Sequence, residues 1–266
     1  MQTFGYYDPT SVSKAVGIID DKPDARFLAG GQSLLATMKL RLASPSDLVD
    51  LGHIPELKGI RVEQNGGAIT IGAMTRHADV AGSLEVGARL RALAELAGAI
   101  GDRQVRNRGT LGGSIANNDP AADYPAAIVG LGATVTTNKR RIAGDDFFTD
   151  MFETALAPGE LITSVTFPVP KRAAYAKFRN PASRFAIVGV FVAQTAQGAR
   201  VAVTGARSRG VFRVQAMEDA LNREWSAAAM RSITVPADDL QSDLHASAQY
   251  RAHLIHVLAQ RAVAAA

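Results

Sequence analysis

Cysteine is absent from the 266 residues. That excludes disulfides, cysteine-ligated zinc and cysteine-ligated iron–sulfur clusters within this chain. Any one-electron relay serving it must sit on another polypeptide. There is a single Trp, and basic and aromatic residues do not interleave, which argues against a nucleic-acid module. No apolar run approaches membrane-spanning length. The N-terminal MQTFGYYDPTSV is not a signal peptide, so a cytoplasmic location is expected. The sequence has no G-x-G-x-x-G, Walker A, G-x-S-x-G or H-E-x-x-H pattern. His253 and His256 form an H-x-x-H without a third ligand, so no metal site is expected there.

What is present describes a globular chain. Hydrophobic residues make up 47% and charged residues 20%, enough for a sizeable core. The net charge is +4. It is dispersed apart from Lys139-Arg140-Arg141 and Arg207-Ser208-Arg209, which read as solvated surface. The length allows one large domain or two ordinary ones.

Two glycine-rich stretches stand out. Phe27-Leu28-Ala29-Gly30-Gly31-Gln32-Ser33-Leu34-Leu35 reads as a short strand, a tight turn and a helix start. Free N–H groups at such a turn, together with a helix dipole, suit an anion and above all phosphate. The second stretch, Arg103–Asp123, has few apolar residues and no period, and reads as a long functional loop. Gly109, Gly112 and Gly113 permit sharp bends and close approach. Thr110, Ser114, Asn117 and Asn118 supply neutral hydrogen-bonding groups. Two such segments can hold the two ends of a long phosphorylated cofactor.

Around them, strands are expected at Phe4–Tyr7, Phe27–Ala29 and Asp47–Leu51, with helices between, as a β-α-β-α-β unit. Ile60–Val62 and Ala68–Ile71 flank Asn65-Gly66-Gly67 as a hairpin. Thr75 is expected to cap the next helix, and residues 83–100 to form one helix. Phe147, Phe148, Met151 and Phe152 are expected in the core, and Ile162–Phe167 as a strand. Pro168-Val169-Pro170 suggests a domain boundary. Beyond it, strands at Ala174–Phe178, Phe185–Ala193 and Arg200–Thr204 precede helices at Val214–Leu221 and His245–Val263, an α+β arrangement.

The motifs Ala29-Gly30-Gly31-Gln32-Ser33-Leu34-Leu35 and Gly101-Asp102-x-Gln104-Val105-Arg106-Asn107-x-Gly109-Thr110-Leu111-Gly112-Gly113-Ser114 carry a resemblance. They resemble the FAD-binding medium subunits of molybdenum hydroxylases, of the carbon monoxide dehydrogenase and xanthine dehydrogenase type. The resemblance extends through Ile71-Gly72-Ala73-Met74-Thr75, Phe147-Phe148, Pro158-Gly159-Glu160-Leu161-Ile162, Tyr175-x-Lys177-Phe178 and Asp243-Leu244-His245-Ala246-Ser247. It implies an α+β fold of the vanillyl-alcohol-oxidase type over residues 1–170, as subdomains of about 1–55 and 56–170, with a C-terminal α+β domain over 171–266. It implies FAD held by Leu28, Ala29, Gly30, Gly31, Gln32, Ser33 and Leu34 at the pyrophosphate. Gly101, Thr110, Leu111, Gly112, Gly113 and Ser114 would lie along the phosphates and flavin. Asn117 and Asp123 would lie at the ribose–adenine half, Leu161 at a main-chain contact, and Lys177 and Phe185 near the flavin. One departure is Arg184-Phe185, where family members often have Asp-Tyr.

The resemblance further implies a partner subunit with a molybdopterin cofactor and a small subunit with two [2Fe–2S] clusters, assembled as a dimer of heterotrimers. Any membrane contact would be peripheral. The chain itself is expected to hold no catalytic acid or base and no metal. The alternative is a stand-alone flavin oxidase or reductase of the same fold.

Overall fold

The computed structural model describes all residues, Met1–Ala266. The first unit comprises β1 (Gly5–Tyr7), α1 (Val12–Asp21), β2 (Arg26–Leu28), α2 (Leu34–Lys39) and β3 (Asp47–Asp50). Ser11 caps α1 by accepting from the Lys14 N–H, and Ala15 and Ile19 pack on Val49, Leu51 and Leu161. β3 lies between β1 and β2 and is parallel to both. Parallel pairing sends each connection across a face of the sheet. Turns that leave the C-terminal strand ends are the usual ligand sites of such units, and the turn after β2 is the first glycine stretch.

The second unit is larger. A hairpin of β4 (Ile60–Val62) and β5 (Ala68–Gly72) leads into α3 (His77–Gly82), α4 (Leu84–Arg89) and α5 (Arg91–Gly98). There follow α6 (Arg103–Arg108), α7 (Leu111–Asn117), α8 (Tyr124–Leu131), β6 (Thr134–Thr137), β7 (Arg141–Ala143) and α9 (Gly144–Phe147). A small hairpin of β8 (Phe148–Asp150) and β9 (Glu153–Thr154) precedes β10 (Ile162–Pro168). The sheet is antiparallel in the order β4-β5-β10-β6-β7, with the helices packed over its core.

Several expectations fail here for local reasons. Arg103–Asp123 is not a long loop: it holds α6 and α7. Asp102 caps α6 through the Val105 N–H, and Thr110 caps α7 through the Gly113 N–H. Thr75 does not cap α3. Its buried hydroxyl instead donates to the Gly59 carbonyl and accepts from the Gly59 N–H, both at 3.1 Å, while Arg76 holds the cap position. Residues 83–100 break into two helices at Leu90, whose backbone leaves the helical region. Phe147 is buried and Phe148 half-buried, but Met151 and Phe152 are exposed at the hairpin tip.

The third unit comprises β11 (Arg172–Arg179), β12 (Ala186–Thr195), β13 (Gly198–Thr204) and β14 (Phe212–Arg213), with α10 (Gln215–Arg223) and α11 (Ala248–Ala265). Its sheet is antiparallel in that order. β12 is buried on both faces. Val188, Val190 and Val192 pack beneath α11 in the third core, while Phe191 and Ala193 belong to the second core. The two-residue period of a strand sends alternate side chains to opposite faces, so this one strand joins two cores.

Candidate functional site

A cavity of about 550 Å³ lies where the three units meet, within the usual range for small-molecule sites of roughly 300–1,000 Å³. One group of its lining residues, Phe27, Leu51, Met74 and Leu161, belongs to or packs on the first unit's core. Another group, Ile100, Gly101, Val105, Arg184 and Phe185, lies where the β11–β12 loop meets the start of α6. The two glycine stretches line the cavity as well.

The first stretch presents backbone. None of the N–H groups from Ala29 to Leu34 donates to a protein acceptor. The residues are half-buried or exposed along the cavity wall. Gly31 has a φ of 71°, a left-handed conformation that glycine adopts without a Cβ penalty. Successive N–H groups turned one way form an anion-binding concavity. α2 itself is a short helix, so the row of donors, rather than a macrodipole, carries the site. The Gln32 and Ser33 side chains also line the cavity.

The second stretch is different. Its N–H groups are largely used inside the protein: Leu111 donates to Thr75, Gly112 to Ala73 and Gly113 to the Thr110 hydroxyl. Its glycines permit close packing. A Cβ on Gly112 would lie 2.6 Å from the Ala73 Cβ and 2.9 Å from its carbonyl oxygen. A Cβ on Gly30 would lie 2.2 Å from the Arg108 carbonyl oxygen. The two stretches therefore touch, and what α7 offers the cavity is Ser114, Ala116, Asn117 and the bare backbone face of Gly112 and Gly113.

Of the expected site residues, the cavity wall brings together Ala29, Gly30, Gly31, Gln32, Ser33, Leu34, Gly101, Thr110, Gly112, Gly113, Ser114, Asn117, Asp123, Leu161 and Phe185. It omits three. Leu28 ends β2 and pairs with Asp50. Leu111 is fully buried in the second core. Lys177 turns inward to Asp123 and to the Ala99 carbonyl, at 2.9 and 3.2 Å.

Two members of the set sit in other roles than a free cofactor contact. Asp123 is buried, and its oxygens accept from the Tyr175 hydroxyl at 2.5 Å and from Lys177. Burial pushes its carboxyl pKa up, and Lys177 and Tyr175 oppose that rise. It stands beside the segment clamped by the third unit. There Thr204 donates to the Pro120 and Ala122 carbonyls and the Ala186 N–H to Ala121. Asp123 thus joins two units while it lines the cavity. Leu161 has both main-chain groups engaged with Asn138, its N–H at 2.8 Å and its carbonyl at 2.9 Å.

Sequence reasoning missed Glu160 and His77 on the cavity wall. Glu160 accepts from Arg140, Thr137 and the Ala157 N–H. The Arg140 guanidinium holds its pKa down to about 2. Its charge is thereby matched, and the turn before Leu161 is fixed. His77 is 4% exposed, and burial, then the Arg106 charge, lowers its pKa to about 4. It is neutral at physiological pH and packs against Gly109 and the Tyr124 ring. A single histidine in a helical pattern gave no signal of this. His253 and His256 do not converge on a ligand: His256 contacts the Ile233 carbonyl and Gln260.

The residues fit an extended dinucleotide: a donor row for a pyrophosphate, an apolar end, and a second end with an aromatic side chain. Comparisons with known proteins agree. Residues 2–170 match the family described as FAD binding domain in molybdopterin dehydrogenase. The chain is 35% identical to the carbon monoxide dehydrogenase medium chain of Hydrogenophaga pseudoflava, over 99% of this chain and 96% of that one. It is 35% identical to the nicotine 6-hydroxylase medium subunit of Paenarthrobacter nicotinovorans, over 97% and 95%. A solved carbon monoxide dehydrogenase from Hydrogenophaga pseudoflava superposes with a TM-score of 0.89 at 36% identity, covering 100% of this chain and 97% of that one. Quinoline 2-oxidoreductase from Pseudomonas putida 86 gives 0.88 at 29% identity, with the same coverage. The fold is therefore the expected vanillyl-alcohol-oxidase-type arrangement with a further α+β unit, and relatives that are medium chains leave the stand-alone oxidase without support. The chain belongs to the FAD-binding medium subunits of the molybdenum hydroxylase family.

Proposed function

We propose that this chain holds FAD in the cavity and serves as the electron-transfer subunit of a cytoplasmic heterotrimeric complex. The observation that carries the reading is the row of N–H groups from Ala29 to Leu34 without protein acceptors. That row would take the pyrophosphate, with Ser33 and Ser114 as hydroxyl donors. The apolar group at Phe27, Leu51 and Leu161 would take the adenine end. The group at Gly101 and Phe185 would take the flavin end, with Phe185 as its cover. Asp123 and Lys177 would fix the wall between the units at that end.

Bound FAD supplies the redox chemistry, accepting and releasing electrons singly or in pairs. The chain's own residues bind it, orient it and exclude water. The absence of cysteine keeps cysteine-ligated clusters off this chain; by its family, two [2Fe–2S] clusters would lie in a small partner subunit, and substrate oxidation in a large subunit with the molybdopterin cofactor. Electrons would enter through the clusters and leave to an external acceptor. A dimer of such heterotrimers, with only peripheral membrane contact, fits a chain in which no helix is long and apolar enough to cross a membrane.

Purified chain should carry one FAD, released entirely by acid precipitation, because no cysteine is available for attachment and neither His53 nor His77 lies in a binding motif. FMN in its place, or yellow colour retained in the pellet, would count against the reading. Tagged chain should co-purify with both partner subunits. The isolated chain should be bleached by dithionite but not by a substrate that bleaches the complex.

A further inference from the structure

At the Phe185 end of the cavity the unpaired charge is mainly positive. The Arg106 guanidinium donates to the Ile100 and Gly101 carbonyls at 2.9 and 3.1 Å. The Arg184 guanidinium approaches the same Gly101 carbonyl at 3.4 Å. Two cations thus converge on one neutral oxygen on the cavity wall. Neither forms an ion pair, whereas Lys177, Arg140, Arg200 and Arg213 all do. Arg103 and Arg179, exposed nearby in the chain, also lack one.

The carboxylates offset this only in part. Asp123 is matched by Lys177 and Glu160 by Arg140. Asp102 caps α6 through Oδ1 and keeps its charge at the exposed surface. Asp119 lines the cavity without an ion pair, and its Oδ1 accepts from the Ala121 N–H. Arg184 is also held where it is: its backbone is left-handed, with φ 63°. Its N–H donates to the Asn180 carbonyl, and the Asn180 side chain accepts from the N–H groups of Ala182 and Ser183. Two like charges held beside one carbonyl at the solvent-exposed edge of a cleft give a positive local potential, which raises the concentration of anions there.

We infer that Arg106 and Arg184 make this end of the cavity an entrance selective for anionic electron acceptors. The inference rests on the FAD reading and specifies the acceptor's charge. Two one-electron acceptors would each take one electron from the reduced cofactor, and its two protons would pass to solvent.

The test uses FAD-loaded chain, reduced anaerobically and mixed in a stopped-flow instrument with ferricyanide or with a cationic ferrocenium salt. Flavin content is measured first. Wild-type protein should be reoxidised by ferricyanide at a rate that falls as KCl is raised, and Arg184→Glu should lower that rate about tenfold, at the low end of electrostatic steering effects. The same change should speed reoxidation by ferrocenium. Arg184→Gln should fall between. Protein that retains no flavin would sink the FAD reading and the inference with it. Full flavin content with an unchanged ratio of the two rates in Arg184→Glu would overturn the inference alone.

Discussion

Gly31 and Gly112 both line one cavity, for opposite reasons. Gly31 puts a left-handed turn into a run of N–H groups that no protein acceptor takes. Gly112 has no such conformation; it is small because Ala73 leaves no room for a Cβ. The serine and threonine beside them divide in the same way. Thr110 caps α7, accepting from the Gly113 N–H at 3.1 Å, while Ser33 precedes α2 without capping it. A similar composition therefore serves binding in one stretch and assembly in the other. The difference lies in where the N–H groups go: a buried donor is satisfied within the protein, whereas one at the solvent border stays available to water or to a ligand.

The comparison can be broken most sharply by adding side chains to the two glycines. Gly112→Val should cost stability at or above the usual overpacking range of about 1–3 kcal/mol, since rigid backbone as well as a side chain stands in the way. Thermal unfolding without flavin would measure it, and an unchanged midpoint would mean that α7 can shift. Gly31→Val should instead leave most of the fold in place and remove most of the flavin, because a β-branched residue disfavours the left-handed turn. Its nearest obstacle is the Leu35 side chain, which can move. Normal flavin content in Gly31→Val would end the phosphate-cradle reading.

The hydroxyls should separate likewise. Ser33→Ala should leave unfolding unchanged and weaken FAD by roughly 10- to 150-fold, the worth of about 1.5–3 kcal/mol for a hydrogen bond to a charged group. Thr110→Ala should cost about 1 kcal/mol of stability through the lost cap, with a smaller change in affinity measured by fluorescence titration. Matching changes in both variants would erase the division between the stretches.

The smallest effect concerns His77, which packs beside Gly109 under the second stretch. Its pKa is about 4 when folded against 6.5 in the free side chain. Between those values the unfolded chain binds more proton than the folded one, so stability rises with pH. The contribution of His77 is full above pH 6.5 and lost as pH falls towards about 4. His77→Gln should flatten the unfolding midpoint across that window, and an unchanged slope would assign the acid sensitivity to other groups.

Much of this site was legible in local chemistry. The strand, glycine turn and helix of Phe27–Lys39 follow from residues adjacent in sequence, as does the hairpin at Asn65-Gly66-Gly67. Met151 and Phe152 were misread because an apolar side chain gives no sign of whether another element covers it. Arg103–Asp123 was misread because its helices are short, weakly apolar and glycine-bearing. They are held by caps and by packing on Ala73 and Thr75, residues far away in the chain.

The sequence by itself determined the chemistry available to the chain. Without cysteine it cannot ligate an iron–sulfur cluster through thiolates, and with two glycine stretches it can bring backbone close to a large cofactor. Those properties are local, since composition and nearest neighbours set them. Tertiary structure alone decided which N–H groups remain free and which carboxylates are already matched. Ala29–Leu34 keep their donors while Leu111–Gly113 spend theirs. Asp123 is claimed by Lys177 and Glu160 by Arg140, whereas Arg106 and Arg184 are left facing one carbonyl. Hydrogen bonds and ion pairs act over a few ångströms between residues that can lie dozens of positions apart, so only the folded chain sets their partners.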